Sequence, residues 1–272
     1  MELQEPKAKK NKAATAARVL LFYLCSLIVL MFTSRFTQGL PEPAADLTSI
    51  AAAVLITIGL VLLFTRWNRY HLNDVGLAPG KFTGQRFLIG FLIGLLMAAI
   101  QAVTVAGISS HLKLVYVPEF TLNRILPPLI LYFLVASREE LVFRSYSLRA
   151  LDNIFSSAIA ISAMVIIFIL EHIIAGMPTI TAVVGIGLGG VLFSIAALKT
   201  RGLALPLGIH FSWNFGQWAV GFKNTPGIFK AIVDKGYETQ TETLGLGVYI
   251  LIMLLAITGV ILFYRKKSPE SV

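Results

Sequence analysis

Residues 125–149 read ILPPLILYFLVASREELVFRSYSLR. The apolar flanks, 129–135 and 141–143, have the composition of a membrane-spanning helix, which needs ~20 mainly apolar residues. The charges between them, Arg138, Glu139, Glu140 and Arg144, do not. A charge at the centre of hydrocarbon costs at least ~2.5 kcal/mol, so a chain keeps one where it meets a partner or a water-filled cavity. Two later stretches repeat the pattern. His172 follows the apolar run 164–170, one helical turn after Phe168, and His210 is spaced i, i+4 from Asn214 within another apolar run. Together they supply carboxylates, two imidazoles and an amide, which is the equipment for activating water against an amide bond.

The rest of the chain agrees with a membrane setting. Of 272 residues, 56% are hydrophobic and 14% charged, with a mean hydropathy of +0.78. A soluble domain carries about 25% charged residues. Eight apolar segments stand out, at 19–37, 47–64, 87–109, 125–148, 154–174, 180–198, 203–222 and 244–264. The expectation is an all-α polytopic transmembrane bundle of about eight spans, forming a single integral membrane domain over 1–272. It has a basic tail at 1–17, core segments at 125–222 and a second tail at 265–272. The basic front of Lys7, Lys9, Lys10, Lys12 and Arg18 before a long aromatic run reads as a retained first span, not a cleaved signal peptide.

Alternate ends of these segments divide the 23 lysines and arginines 17 to 6. By the positive-inside rule both termini are cytoplasmic. The net charge of +9 therefore reads as topology and headgroup contact, with the lipid bilayer and not nucleic acid as partner. Cys25 is the only cysteine and has no intrachain disulfide partner. Gly90-x-x-x-Gly94 and Gly185-x-x-x-Gly189 both read as close-packing faces.

Each polar signature has a structural reading of its own: a cytoplasmic helix end for the glutamates, a satisfied core histidine, an interhelical hydrogen-bond pair. Glu140 and Arg144 are an i, i+4 pair in the favourable order, which leaves Glu139 free. Glu171, beside His172, reads as structural. Three such elements on three helices favour a shared site, because each would otherwise need its own partner in a low-dielectric interior.

Glu139-Glu140-x-x-x-Arg144, Phe168-x-x-x-His172 and His210-x-x-x-Asn214, in this order, resemble the motifs of the CPBP family, the type II CAAX prenyl proteases and bacteriocin-processing membrane proteins. The likeness spans about residues 125–220. It implies an intramembrane endopeptidase of the cell membrane acting on a peptide or membrane-protein substrate, with Glu139, Glu140, Arg144, His172, His210 and Asn214 as its catalytic set. Two mechanisms fit these residues. In the favoured one no cofactor takes part: Glu139 with His172 activates a water, and His210 with Asn214 stabilises the oxyanion. In the other, Glu139, His172 and His210 hold a zinc with water in the fourth position, as in a metalloendopeptidase. A proton-coupled transporter or an inactive immunity protein would use the same residues differently, but no repeated halves or matching broken spans support transport. One mismatch stands. Glu139 and His210 are expected near the cytoplasmic side, while His172 lies ~27 Å into an outward-running segment by the helical rise.

Overall fold

The computed structural model describes residues 11–118, 121–223, 225 and 227–265. The tail lysines Lys7, Lys9, Lys10, Lys266 and Lys267 lie outside these residues. Helices α1 (Lys12–Thr37), α2 (Ala44–Trp67) and α3 (Thr83–Ile108) precede a strand β1 (Leu112–Tyr116). Helix α4 (Leu122–Glu140) runs without a break through a π-helical segment, Leu141–Tyr146, into α5 (Ser147–Asp152). Helix α6 (Ser157–Ile174) returns. A short α7 (Thr179–Thr181), a second π segment (Ala182–Ile186) and α8 (Gly187–Thr200) form the next unit. Helix α9 (Ala204–Ala219), strand β2 (Phe229–Val233) and α10 (Glu238–Phe263) complete the chain.

Each of the eight apolar segments is thus a helical unit. The ends are set by local chemistry. Asn11 caps α1 by accepting from the Ala14 amide at 3.2 Å, and Ser156 caps α6 by accepting from Ile159. The loop 68–82, rich in Asn, Gly and Pro, carries no helix. Among the described residues six units are long and apolar enough to cross a membrane: α1, α2, α3, α6, the unit from Thr179 to Thr200, and α10. The other two, α4–α5 and α9, hold most of the polar residues singled out in the sequence. The result is a multi-pass integral membrane bundle.

Between helices in lipid there is little hydrophobic drive, so van der Waals contact and small residues decide which pairs approach closely. Helices α3 and α9 show this. A Cβ placed on Gly94 would lie 2.1 Å from Ser212 Oγ and 2.4 Å from the Ile209 carbonyl; one on Gly208 would lie 2.3 Å from the Phe87 carbonyl. The first glycine pair is therefore a packing face, as its spacing suggests. The second is not: a Cβ on Gly185 would meet nothing within 4 Å. Two buried clusters complete the interior. Phe22, Phe64 and Tyr146 join α1 and α2 to the first π segment, with ring centroids 5.1–5.6 Å apart. Met97, Phe193, Ile209 and Met253 join α3, α8, α9 and α10.

Three expectations need correction. Arg138, which the charge count placed on the cytoplasmic side, is 2% exposed and pairs with Glu171 inside the bundle, while Arg144, at 1%, pairs with Glu140 as its spacing suggests. The stretch 223–242, read as a polar loop, contains β2, which pairs antiparallel with β1 from Leu112↔Val233 to Tyr116↔Phe229. A five-residue strand paired across more than 110 residues leaves little local signal. Finally, the depth mismatch disappears because the fourth segment does not end at 148. Glu139 stands about 20 Å from the far end of α5, and His172 about 22 Å from the start of α6, at 1.5 Å per residue. The two residues sit level on a helical hairpin.

The close approach of α3 to α9 is open to a direct test. Gly94→Ala should destabilise the bundle by an overpacking cost of about 1–3 kcal/mol, seen as a lowered melting temperature in detergent. Gly59→Ala, where a Cβ meets nothing within 4 Å, should leave melting unchanged. Identical curves for both variants would show that the helices are not so close.

Candidate active site

The site starts with Glu140, the last residue of α4, which is 1% exposed. A buried carboxylate needs compensation, and two groups supply it. Arg144 Nη1 lies 3.6 Å from Glu140 Oε1, and His210 Nδ1 lies 2.9 Å from the same oxygen. Glu140 is the N-terminal cap position of the π segment, whose i→i+5 bonding widens the turn that separates it from Arg144. At 3.6 Å the Arg144 contact is an ion pair without a hydrogen bond. The guanidinium also rests over the rings of Phe168, at 4.5 Å, and of Phe143 and Phe193, at 5.5 Å each.

An ionised carboxylate only accepts, so His210 Nδ1 carries a proton and donates to Glu140. That leaves Nε2 facing Glu139 Oε2 at 3.4 Å. In the neutral ring Nε2 is an acceptor, so this contact needs a proton shared with Glu139. Phe193 stacks on the imidazole with centroids 4.4 Å apart at 14°, which fixes its plane. One histidine on α9 thus joins the two adjacent glutamates.

His172 has its orientation set in the same way. Its Nδ1 lies 2.9 Å from the Phe168 carbonyl, an acceptor, so Nδ1 carries the proton and Nε2 is left as a lone pair in the neutral ring. Its neighbour Glu171 does not snorkel. It pairs with Arg138 at 2.5 Å, both nearly buried, and this fixes α6 against α4.

Glu139, His172, His210 and Asn214 line one cavity of about 180 Å³. Glu140 and Arg144 stand behind it. The structure therefore brings all six candidate residues into one region. Three further residues line the cavity. Tyr132 lies on the Glu139 face at helical spacing, a periodicity visible in the sequence. Tyr249, on α10, donates to the Gly185 carbonyl. Lys223, from the loop after α9, donates to Asn214 Oδ1 at 3.4 Å. Although Lys223 is an exposed residue, it lines this cavity. Desolvation there lowers its pKa from the ordinary lysine value, against an opposing pull from Glu139. Nothing in the sequence marks Lys223, which had counted as an outer-loop cation.

Among the described residues no three His, Cys, Asp or Glu side chains come together as a metal-binding group. On the other side of Glu140 lies a groove of about 1210 Å³, lined by Phe87, Phe133, Leu141, Leu203 and Leu207 among others.

Because Arg144 compensates a buried carboxylate, Arg144→Ala should cost roughly 3–5 kcal/mol. Thermal melting in detergent should fall along with activity, and Arg144→Lys should restore only part of it, since a compact ammonium lacks the flat face that meets the phenylalanine rings. An unchanged melting profile for Arg144→Ala would place the guanidinium in solvent.

No curated protein and no solved structure matches the chain. Residues 121–216, about a third of it, match the family described as type II CAAX prenyl endopeptidase, Rce1-like. That stretch runs from the cap of α4 to the last turn of α9 and contains Glu139, Glu140, Arg144, His172, His210 and Asn214. Over the residues that build this buried cluster, the chain is similar to the Rce1-like type II CAAX prenyl endopeptidases, in agreement with the CPBP motifs.

Proposed function

We propose that the cavity hydrolyses a peptide bond with a water activated by side chains alone. The observation that carries this reading is the pair of fixed tautomers. Glu139 and the lone pair of His172 Nε2 are both acceptors in one cavity, which suits them to hold and deprotonate a water. The water oxygen attacks the scissile carbonyl carbon as its proton passes to Glu139. The oxyanion that forms is met by Asn214, whose amide donates from Nδ2. His210 holds Glu139 through the shared proton, and it donates to the oxyanion only as imidazolium. When the carbon–nitrogen bond breaks, Glu139 returns the proton to the leaving amine.

The substrate we propose is a lipidated peptide presented from the cytoplasmic side. The apolar groove that reaches Glu140 has room for an isoprenoid chain, and it opens among the residues of the 68–82 loop. The topology we propose has both termini cytoplasmic. With Arg138 and Arg144 assigned to the interior, the charge bias of 17 to 6 becomes 15 to 6 and keeps its sign.

Three measurements test the reading. On a panel of fluorogenic peptides with and without a farnesylated CAAX terminus, the farnesylated members should be cleaved fastest; a preference for unmodified peptides removes the groove from recognition. Glu139→Gln should abolish turnover with expression intact, and retention of more than a tenth of wild-type rate rules Glu139 out as the base. Asn214→Ala should lower turnover by ~10²–10³ with substrate affinity little changed, and a chelator should leave the wild type active. Stoichiometric zinc, lost with activity and restored with it, would overturn the metal-free scheme.

A further inference from the structure

Lys223 lies beyond the stretch that matches the family, yet it lines the cavity. Its position is set by the turn that closes α9. The Gly221 amide donates to the Trp218 carbonyl at 3.0 Å and the Phe222 amide to the Gln217 carbonyl at 2.9 Å, with Gly221 at φ +83°. This is a left-handed helix stop that favours glycine. The turn is also held from outside. A Cβ on Gly221 would lie 2.6 Å from the Ala231 amide of β2, and one on Gly227 would lie 1.8 Å from the Trp218 carbonyl. Gly221 and Gly227 are therefore each held closely, the first against β2 and the second against the end of α9, and Lys223 lies two residues past Gly221.

The ammonium lies 3.4 Å from Asn214 Oδ1. An ammonium has three donors and no acceptor, so it meets an amide only through its oxygen. The amide nitrogen must then face the other way, where no acceptor among the described residues takes it. Hydrolysis as proposed above needs that nitrogen, because only Nδ2 donates to an oxyanion. We propose that Lys223 is a positioning residue of the hydrolytic site: its ammonium holds the Asn214 amide in the one orientation that points Nδ2 at the reacting carbonyl. The inference rests on the oxyanion role given to Asn214. It gives the ribbon a purpose as well, since β2 holds the Gly221 turn that precedes the lysine.

The test is a double-mutant cycle, read on whichever panel peptide the wild type cleaves fastest. Lys223→Met keeps the stem and removes the donors. It should lower kcat several-fold, by less than Asn214→Ala does, with KM unchanged. In the Asn214→Ala background it should cost nothing further, and Lys223→Arg, which keeps donors, should recover most of the loss. Melting in detergent checks the fold, and Lys223→Gln replaces the methionine variant if that variant melts early. A second readout needs no turnover. In protein labelled with ¹⁵N-asparagine, the side-chain amide signals of Asn214, identified by their loss in Asn214→Ala, should move in Lys223→Met. Additive losses, a raised KM with kcat intact, full activity of Lys223→Met, or unmoved amide signals would each overturn the proposal. Full activity of Asn214→Ala would instead sink the oxyanion role itself, and the amide signals would still decide whether the lysine holds the side chain.

Discussion

The bundle depends on keeping one carboxylate buried. Glu140 is 1% exposed within a membrane-spanning assembly, and its Oε1 is shared by His210 and Arg144. Taking a carboxylate out of water costs several kcal/mol, and only close, well-placed partners offset it. The partners come from different places, Arg144 from the same long helix and His210 from α9, so compensating the charge also fixes the distance between those elements. Because Glu139 is adjacent in sequence, the same contact carries it to the other nitrogen of His210. The carboxylate proposed as the base is placed as a consequence of neutralising its neighbour.

Backbone irregularity supports the arrangement. Both π segments flank the cavity: the first follows Glu139 and Glu140 directly, and the second contributes Gly185 and Ile186 to the lining. A π turn widens the helix and alters the facing of residues beyond it, which is why such segments collect at functional sites. Here the first one buries six successive residues, 141–146, on every side of the helix. Such all-round burial is possible because α1, α2 and α8 pack against it and Phe168 of α6 meets Phe143.

Most of the fold was legible in the sequence, because in a membrane the hydrophobic pattern is long and the alternatives are few. Eight apolar segments became eight helical units, and the glutamates and histidines disclosed themselves by being costly where they stood. What was hidden depends on long-range contacts. Arg138 reads as a helix-end cation until Glu171 is seen against it. The fourth segment seems to stop near 148 because Arg149 is charged, yet Arg149 is 8% exposed and donates to the Ala197 carbonyl at 3.0 Å. Gly185 has the spacing of a packing glycine and faces open space instead. The short ribbon and Lys223 are unreadable for the same reason: β1 and β2 lie more than a hundred residues apart, and a lysine just past a helix end resembles any other.

The site's chemistry can be followed by asking which partners only accept and which only donate. The Phe168 carbonyl accepts, so His172 must donate from Nδ1 and offer a lone pair at Nε2. Glu140 accepts, so His210 must donate from Nδ1. Lys223 donates, so Asn214 must accept with Oδ1 and offer Nδ2. Each of these partners is a backbone group, a buried ion or a residue just past the Gly221 turn, and none of them reacts. They sort the cavity into groups that attract a proton, Glu139 and His172, and a group that supplies one, Asn214. A water and a peptide carbonyl need those two kinds of neighbour, and a polarity fixed before substrate arrives requires no reorganisation when charge develops.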